Sequence, residues 1–109
     1  MANDFKNAIK TGIQSVETLV YTSPNGETSV ILEVDIANTT LSSVTADVII
    51  TDSSASVSAF LLKNAPIPHG STLQAIQGQK VILESLDSIK VVSNGTVDVV
   101  VSVLEDIQS

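Results

Sequence analysis

The sequence predicts an all-β protein, an antiparallel β-sandwich, jelly-roll-like, of about eight or nine short strands. Three observations point there. Val, Ile and Thr dominate the chain, and β-branched side chains suit a pleated surface better than a helix. Apolar and polar residues alternate with period two in three long segments, the spacing of a strand with one buried face. Turn-forming residues recur at intervals of about 8–12 residues, which is sandwich punctuation. At 109 residues the chain has the length of one domain.

Residues 1–14 read as an N-terminal arm or edge strand, and 15–109 as the sandwich domain. Two patterns compete in the arm. Extended, it puts Phe5, Asn7 and Ile9 on one face and Lys6, Ala8 and Lys10 on the other; helical, it would stripe Phe5, Ala8, Ile9 and Ile13. The extended form is taken here. Val16 to Thr22 is the next strand, closed by the turn Pro24-Asn25-Gly26-Glu27. In Thr28 to Ala37, Val30, Leu32, Val34 and Ile36 share a face opposite Glu33 and Asp35. In Val44 to Thr51, Val44, Ala46, Val48 and Ile50 point in. Polar connectors, Asn38 to Ser43 and Thr51 to Ser56, flank that strand. Val57 to Lys63 follows, and Pro66-Ile67-Pro68-His69-Gly70 is expected to break the ladder, because proline has no N–H to donate. Leu73 to Ile76 and Lys80 to Glu84 read as separate strands about a turn at Gly78. Another turn at Asp87 precedes Ser88 to Ser93, and Asn94-Gly95 is the dipeptide of a type I′ hairpin. In the last strand, Thr96 to Leu104, Val97, Val99, Val101 and Val103 face inward.

Composition narrows the function. The net charge is −7, from 12 acids against 5 bases, so a phosphate backbone is repelled and no nucleic-acid partner is expected. No apolar run approaches the ~18 residues of a membrane helix, and the start carries no basic-then-apolar leader, so a soluble chain with no membrane partner is expected. Cysteine is absent, which excludes disulfides and thiolate metal sites. Only 16% of residues are charged, against 43% hydrophobic. Little charge keeps such a surface from its neighbours, which suggests burial against other proteins.

Chemistry-bearing residues are few. His69, the single histidine, sits in the turn Pro68-His69-Gly70 with no nucleophile or acid beside it in sequence. Glu33 and Asp35 share a strand face and could pair for acid–base work, but solvated outward positions account for them more simply. Asp52-Ser53-Ser54 lacks the spaced acids, glycine and glutamate of a calcium loop. No phosphate-binding glycine loop or Gly-x-Ser-x-Gly elbow is present. Asn38-Thr39-Thr40 and Asn94-Gly95-Thr96 match the glycosylation sequon, yet read as turns. The aromatics are Phe5, Tyr21 and Phe60, thin support for a sugar platform, and Tyr21 reads as a core-edge residue. The expectation is a non-enzyme with no catalytic residue, cofactor or metal.

More informative are apolar residues at outward parity: Ile31, Ile49, Leu62, Ile82, Val92, Val100 and Leu104. Two readings stay open. Either bulges and coverage within the monomer hide them, or they form a subunit interface. Phe5 and Ile9 of the arm and Pro66, Ile67, Pro68 and His69 of the loop are the candidate contacts.

The segment Leu61-Leu62-Lys63-Asn64-Ala65-Pro66-Ile67-Pro68-His69-Gly70-Ser71-Thr72-Leu73 is followed by Gln77-Gly78-Gln79-Lys80-Val81-Ile82-Leu83-Glu84 and Asp87-Ser88-Ile89-Lys90-Val91. Together they resemble a family of small virion structural proteins of tailed phages, often of marine and cyanobacterial hosts. Val20-Tyr21-Thr22-Ser23-Pro24-Asn25-Gly26-Glu27-Thr28 looks like the family's first turn, and Val101-Ser102-Val103-Leu104-Glu105 like its ending. The resemblance implies a β-sandwich that decorates or completes a particle, with no catalytic residues to transfer. The expected role is a capsid decoration or cement protein in the virion, assembled in the host cytoplasm. Its expected partners are copies of itself, as a trimer or ring, and other virion proteins such as the major capsid protein. A neck or tail component, or a carbohydrate-binding or host-adhesion module, is the alternative.

Overall fold

The computed structural model describes residues 4–105, Gln77 and Gly78 through their backbone alone. The first three residues of the expected arm and the last four of the expected sandwich lie outside the described residues. Eight strands, and no helix among the described residues, make up the fold: β1 (Asp4–Ile13), β2 (Thr18–Thr22), β3 (Ser29–Asn38), β4 (Val44–Asp52), β5 (Val57–Ile67), β6 (Thr72–Leu83), β7 (Ser88–Ser93) and β8 (Val97–Glu105). They form two four-stranded antiparallel sheets. Sheet A has the order β1-β8-β3-β6 and sheet B the order β2-β7-β4-β5.

The pairs nest. β4 bonds β5, β3 bonds β6, β2 bonds β7 and β1 bonds β8. The chain is one long hairpin with its tip between β4 and β5, rolled up so that, apart from that tip pair, successive strands alternate between sheets. That is jelly-roll connectivity, the arrangement the sequence predicts. Residues 4–13 are extended, as the edge strand of sheet A against β8.

Nesting also explains a difference. Asn94-Gly95 does not turn a hairpin, because β7 belongs to sheet B and β8 to sheet A. Neither residue has the positive φ that a type I′ turn requires. Asn94 instead extends the pairing with β4: its N–H donates to the Thr45 carbonyl (3.1 Å) and its Oδ1 accepts from the Thr45 N–H (2.9 Å). Glycine follows because the chain passes close to β4, where a Cβ at Gly95 would overlap Val44 Cγ1.

The core lies between the sheets. Ile31, Val34 and Ile36 of β3, Ile76 and Leu83 of β6 and the four alternate valines of β8 meet Ala46 and Val48 of β4, Ile89 and Val91 of β7 and Ile67 of β5. A bulge changes which β3 residues contribute. Ile31 pairs with Val103, and Glu33 with Ser102, so Leu32 is an extra residue without a counterpart on β8. The alternation therefore slips by one, and Ile31, not Val30 or Leu32, enters the core. On β6, residues 78–80 stand across from that bulge, between Gln77 opposite Glu33 and Val81 opposite Ile31. The turn expected at Gly78 is thus a wide bulge with Lys80 at φ +53, and two expected strands are one. Pro66 lies inside β5 opposite Thr45. An edge strand tolerates it, having a neighbour on one side only, so the break falls after Ile67.

Candidate functional site

The outer face of sheet A is built by cross-strand register. One row runs Phe5–Leu104–Val30–Ile82 across all four strands. A second runs Asn7–Ser102–Glu33, and a third Ile9–Val100–Asp35–Gln74. The first row is apolar from edge to edge. Phe5 is 77% exposed, Ile82 65% and Ile9 59%. Leu32, displaced from the core by the bulge, lines a shallow hollow here with Phe5, Lys6, Asn7, Ser102 and Val103. Phe5, Ile9 and Ile82 leave most of their apolar surface in water. Covering one fully would release about 1.5–3 kcal/mol of hydrophobic free energy.

Glu33 and Asp35 stand among these residues. They do point outward, but Asp35 is only half solvated, and its Oδ1 is buried without a hydrogen-bond partner. Burial first, then the hydrogen bond and charge of neighbouring Glu33, hold the Asp35 carboxyl above the usual carboxylate range. Neither carboxylate lines the hollow on this face.

At one end of the sandwich a polar cluster holds β1 in place. The Glu105 carboxylate, 7% exposed, accepts from the Tyr21 hydroxyl and pairs with Lys6 Nζ at 3.1 Å. Tyr21 Oη also shares a hydrogen bond with Ser29 Oγ (2.9 Å), which in turn bonds Ser23 Oγ (2.9 Å). Burial acts to raise the Glu105 pKa, but the Tyr21 and Lys6 hydrogen bonds outweigh it and leave the carboxyl below its ordinary range. Burial, then the Glu105 contact, pushes the Tyr21 hydroxyl well above its usual value. Tyr21 therefore bridges the sheets and packs against the core. It offers no open aromatic platform for a sugar.

The other expected positions sort by burial. Pro66, Pro68 and His69 are exposed beside the turn that Ser71 N–H closes on the Pro68 carbonyl (3.2 Å). Ile67, expected with them as a contact, is 1% exposed and belongs to the core, so it offers nothing to a partner. The alternation of an edge strand turns it inward between two outward prolines. Asp52 Oδ1 accepts from Ser54 Oγ (2.9 Å) and Ala55 N–H (3.2 Å), a turn at the hairpin tip. The Asn38 amide donates to the Ser42 and Ile67 carbonyls (2.7 and 2.9 Å) and is buried, so this sequon asparagine is a structural cap. Among the described residues no three of His, Asp and Glu gather as a metal-binding group, and no helix is long and apolar enough to cross a membrane.

The outward-parity residues divide likewise. Ile31 is resolved by its bulge. Leu62 packs against the core, and Ile49, outward on sheet B, is 6% exposed in a hollow it shares with Glu17, Thr51, Ser58, Phe60 and Lys90. Ile82, Val100 and Leu104 remain on the sheet A face. Sequence parity missed Val30 and Leu32 there, because a bulge leaves no mark in the alternation. No family model, no curated protein and no solved structure matches the chain.

Proposed function

We propose that this chain is a non-enzymatic structural protein of a tailed-phage particle, a jelly-roll subunit that docks on the capsid shell as a decoration or cement protein. The observation that carries an assembly role is the apolar row Phe5–Leu104–Val30–Ile82, laid across an open sheet and left uncovered by the monomer. A contiguous apolar patch on a small domain marks a surface meant for burial. The phage context rests on the resemblance carried by Leu61 to Leu73 and the segments after it. In this reading Phe5, Ile9, Leu32 and Ile82 lie against the shell, and many copies add their small contacts in a symmetric array.

Deleting the arm would be a poor test, because β1 is part of sheet A and Lys6 holds Glu105. Point substitutions serve better. An antibody raised to the recombinant chain should label the shell of particles banded from a lysate of cells carrying the gene. Recombinant chain should rebind particles stripped of it, and Phe5→Ser/Ile82→Ser should rebind at least about tenfold more weakly, a loss of ~1.4 kcal/mol or more. A banded particle that lacks the chain defeats the virion reading. Label confined to the neck or tail would replace the capsid assignment with that alternative.

A further inference from the structure

We infer that the chain pairs with a second copy of itself through the edge of β5, antiparallel about a two-fold axis, so that sheet B continues from one copy into the other. An edge strand offers a row of unbonded N–H and C=O groups, and proteins that remain monomeric blunt such edges with charge, bulges or brevity. Three of the four edges here are blunted. β1 carries Asp4, Lys6 and Lys10, and its pairing slips between Lys10 and Ile13, where Gly12 has φ +68. β2 is five residues long and its pairing with β7 slips between Leu19 and Tyr21. β6 is bulged at 78–80 with Lys80 in the left-handed region.

β5 is different along Val57-Ser58-Ala59-Phe60-Leu61. All five residues are exposed and uncharged, with neither Gly nor Pro, and Val57 is 58% and Phe60 53% exposed. Val57 to Phe60 pair regularly with Asp52 to Ile49, and the first slip falls after them. The left-handed residue Asn64 comes only beyond that, where Asp47 Oδ1 accepts its N–H at 2.7 Å.

Charge selects a second copy here and not at the other open surface. Stacking two sheet A faces would bring Glu33, Asp35 and Asp98 of each copy together in a chain already at −7. The β5 segment brings no charge against charge. Its two ends differ: Asp52 flanks Val57 across the hairpin, and Lys63 follows the other end. Antiparallel pairing lays the Lys63 end of one copy beside the Asp52 end of the other, whereas parallel pairing would set like beside like. Centred on Ala59, it puts Ser58 opposite the second copy's Phe60 and Val57 opposite its Leu61, the latter an apolar pair of the kind that stabilises a ladder. A contact this short buries less than the ~800 Å² per partner of a standard interface. The dimer is therefore weak in free solution and gains from the high local concentration of a particle surface.

This pairing does not depend on the particle reading, and it is tested without particles. Sedimentation equilibrium of the whole chain, from about 10 to 500 μM in ~0.15 M salt, should give a reversible monomer–dimer equilibrium with a micromolar Kd. Val57→Lys/Ala59→Lys puts the ammonium at position 59 opposite its own copy across the axis, with the one at position 57 diagonal to it, and should raise Kd at least about tenfold. Phe5→Ser/Ile82→Ser on sheet A should leave it within about twofold. In the unaltered chain, amide exchange across Val57 to Leu61 should slow as concentration rises. A chain that stays monomeric over the whole range overturns the inference. So does a dimer that survives the lysine pair, or one that forms without added protection at Val57 to Leu61.

Discussion

Replacing Asp35 with Asn is expected to stabilise the fold at neutral pH. Asp35 keeps one carboxylate oxygen buried and unbonded, next to Glu33 and between Val100 and Gln74 in its row. An unsatisfied buried acceptor costs about 1–3 kcal/mol. The low end, about 1 kcal/mol, applies because part of the side chain remains in water, which screens the Glu33 charge. The amide of the variant would be neutral, which removes the repulsion from Glu33 and leaves an N–H to donate to it at any pH. A gain of about 1 kcal/mol raises the Tm of a domain this size by about 4–8 °C. The pH dependence is the sharper signature. The folded state raises the Asp35 pKa above its reference of 3.8, so it binds the proton more tightly than the unfolded chain does. The penalty is absent below that reference and complete only above the raised value. Urea melts followed by circular dichroism should therefore show Asp35→Asn more stable than the parent at about pH 7.5, with the gap closing near pH ~3. A variant less stable at neutral pH, or a gap that ignores pH, would refute this account of the pair.

Glu105 should titrate with the opposite sign. Its folded pKa lies below the reference of 4.5, so its contribution is complete above that value and is lost as pH falls through the lowered one. Glu105→Gln should cost about 2 kcal/mol at neutral pH, the scale of a hydrogen bond to a buried charge, and nearly nothing in melts at the acid end. Gly95→Ala forces a Cβ into Val44 Cγ1 and should cost about 1–3 kcal/mol by overpacking. Gly95→Ala/Val44→Ala opens the space, so the double-mutant cycle should show the pair less destabilised than the sum of the singles by about 1 kcal/mol or more; strict additivity would count against the clash.

The strands were legible because period two is a local signal. Val97, Val99, Val101 and Val103 name their own buried face, and no neighbour alters it. The open sheet face was half legible. Ile82, Val100 and Leu104 show as apolar residues at outward parity, but Leu32 reads as core until the bulge turns it out. Ile67 reads as a loop residue because two prolines flank it, yet β5 runs past the first of them and buries it. The carboxyl pair could be seen as neighbours on one strand face. That one of them is desolvated follows from rows contributed by β6 and β8, far away in the chain.

By itself, then, the sequence determined an all-β sandwich, the residues of most strands and an apolar excess beyond what one core needs. Those follow from side-chain shape and alternation, which act over a few residues. The tertiary structure alone decided the order of strands in each sheet, the passage of Asn94-Gly95 between sheets, the slip at Leu32 and which edge was left unguarded. Those depend on pairing between segments as distant as β1 and β8, where the register of one strand is set by its partner and not by its own pattern.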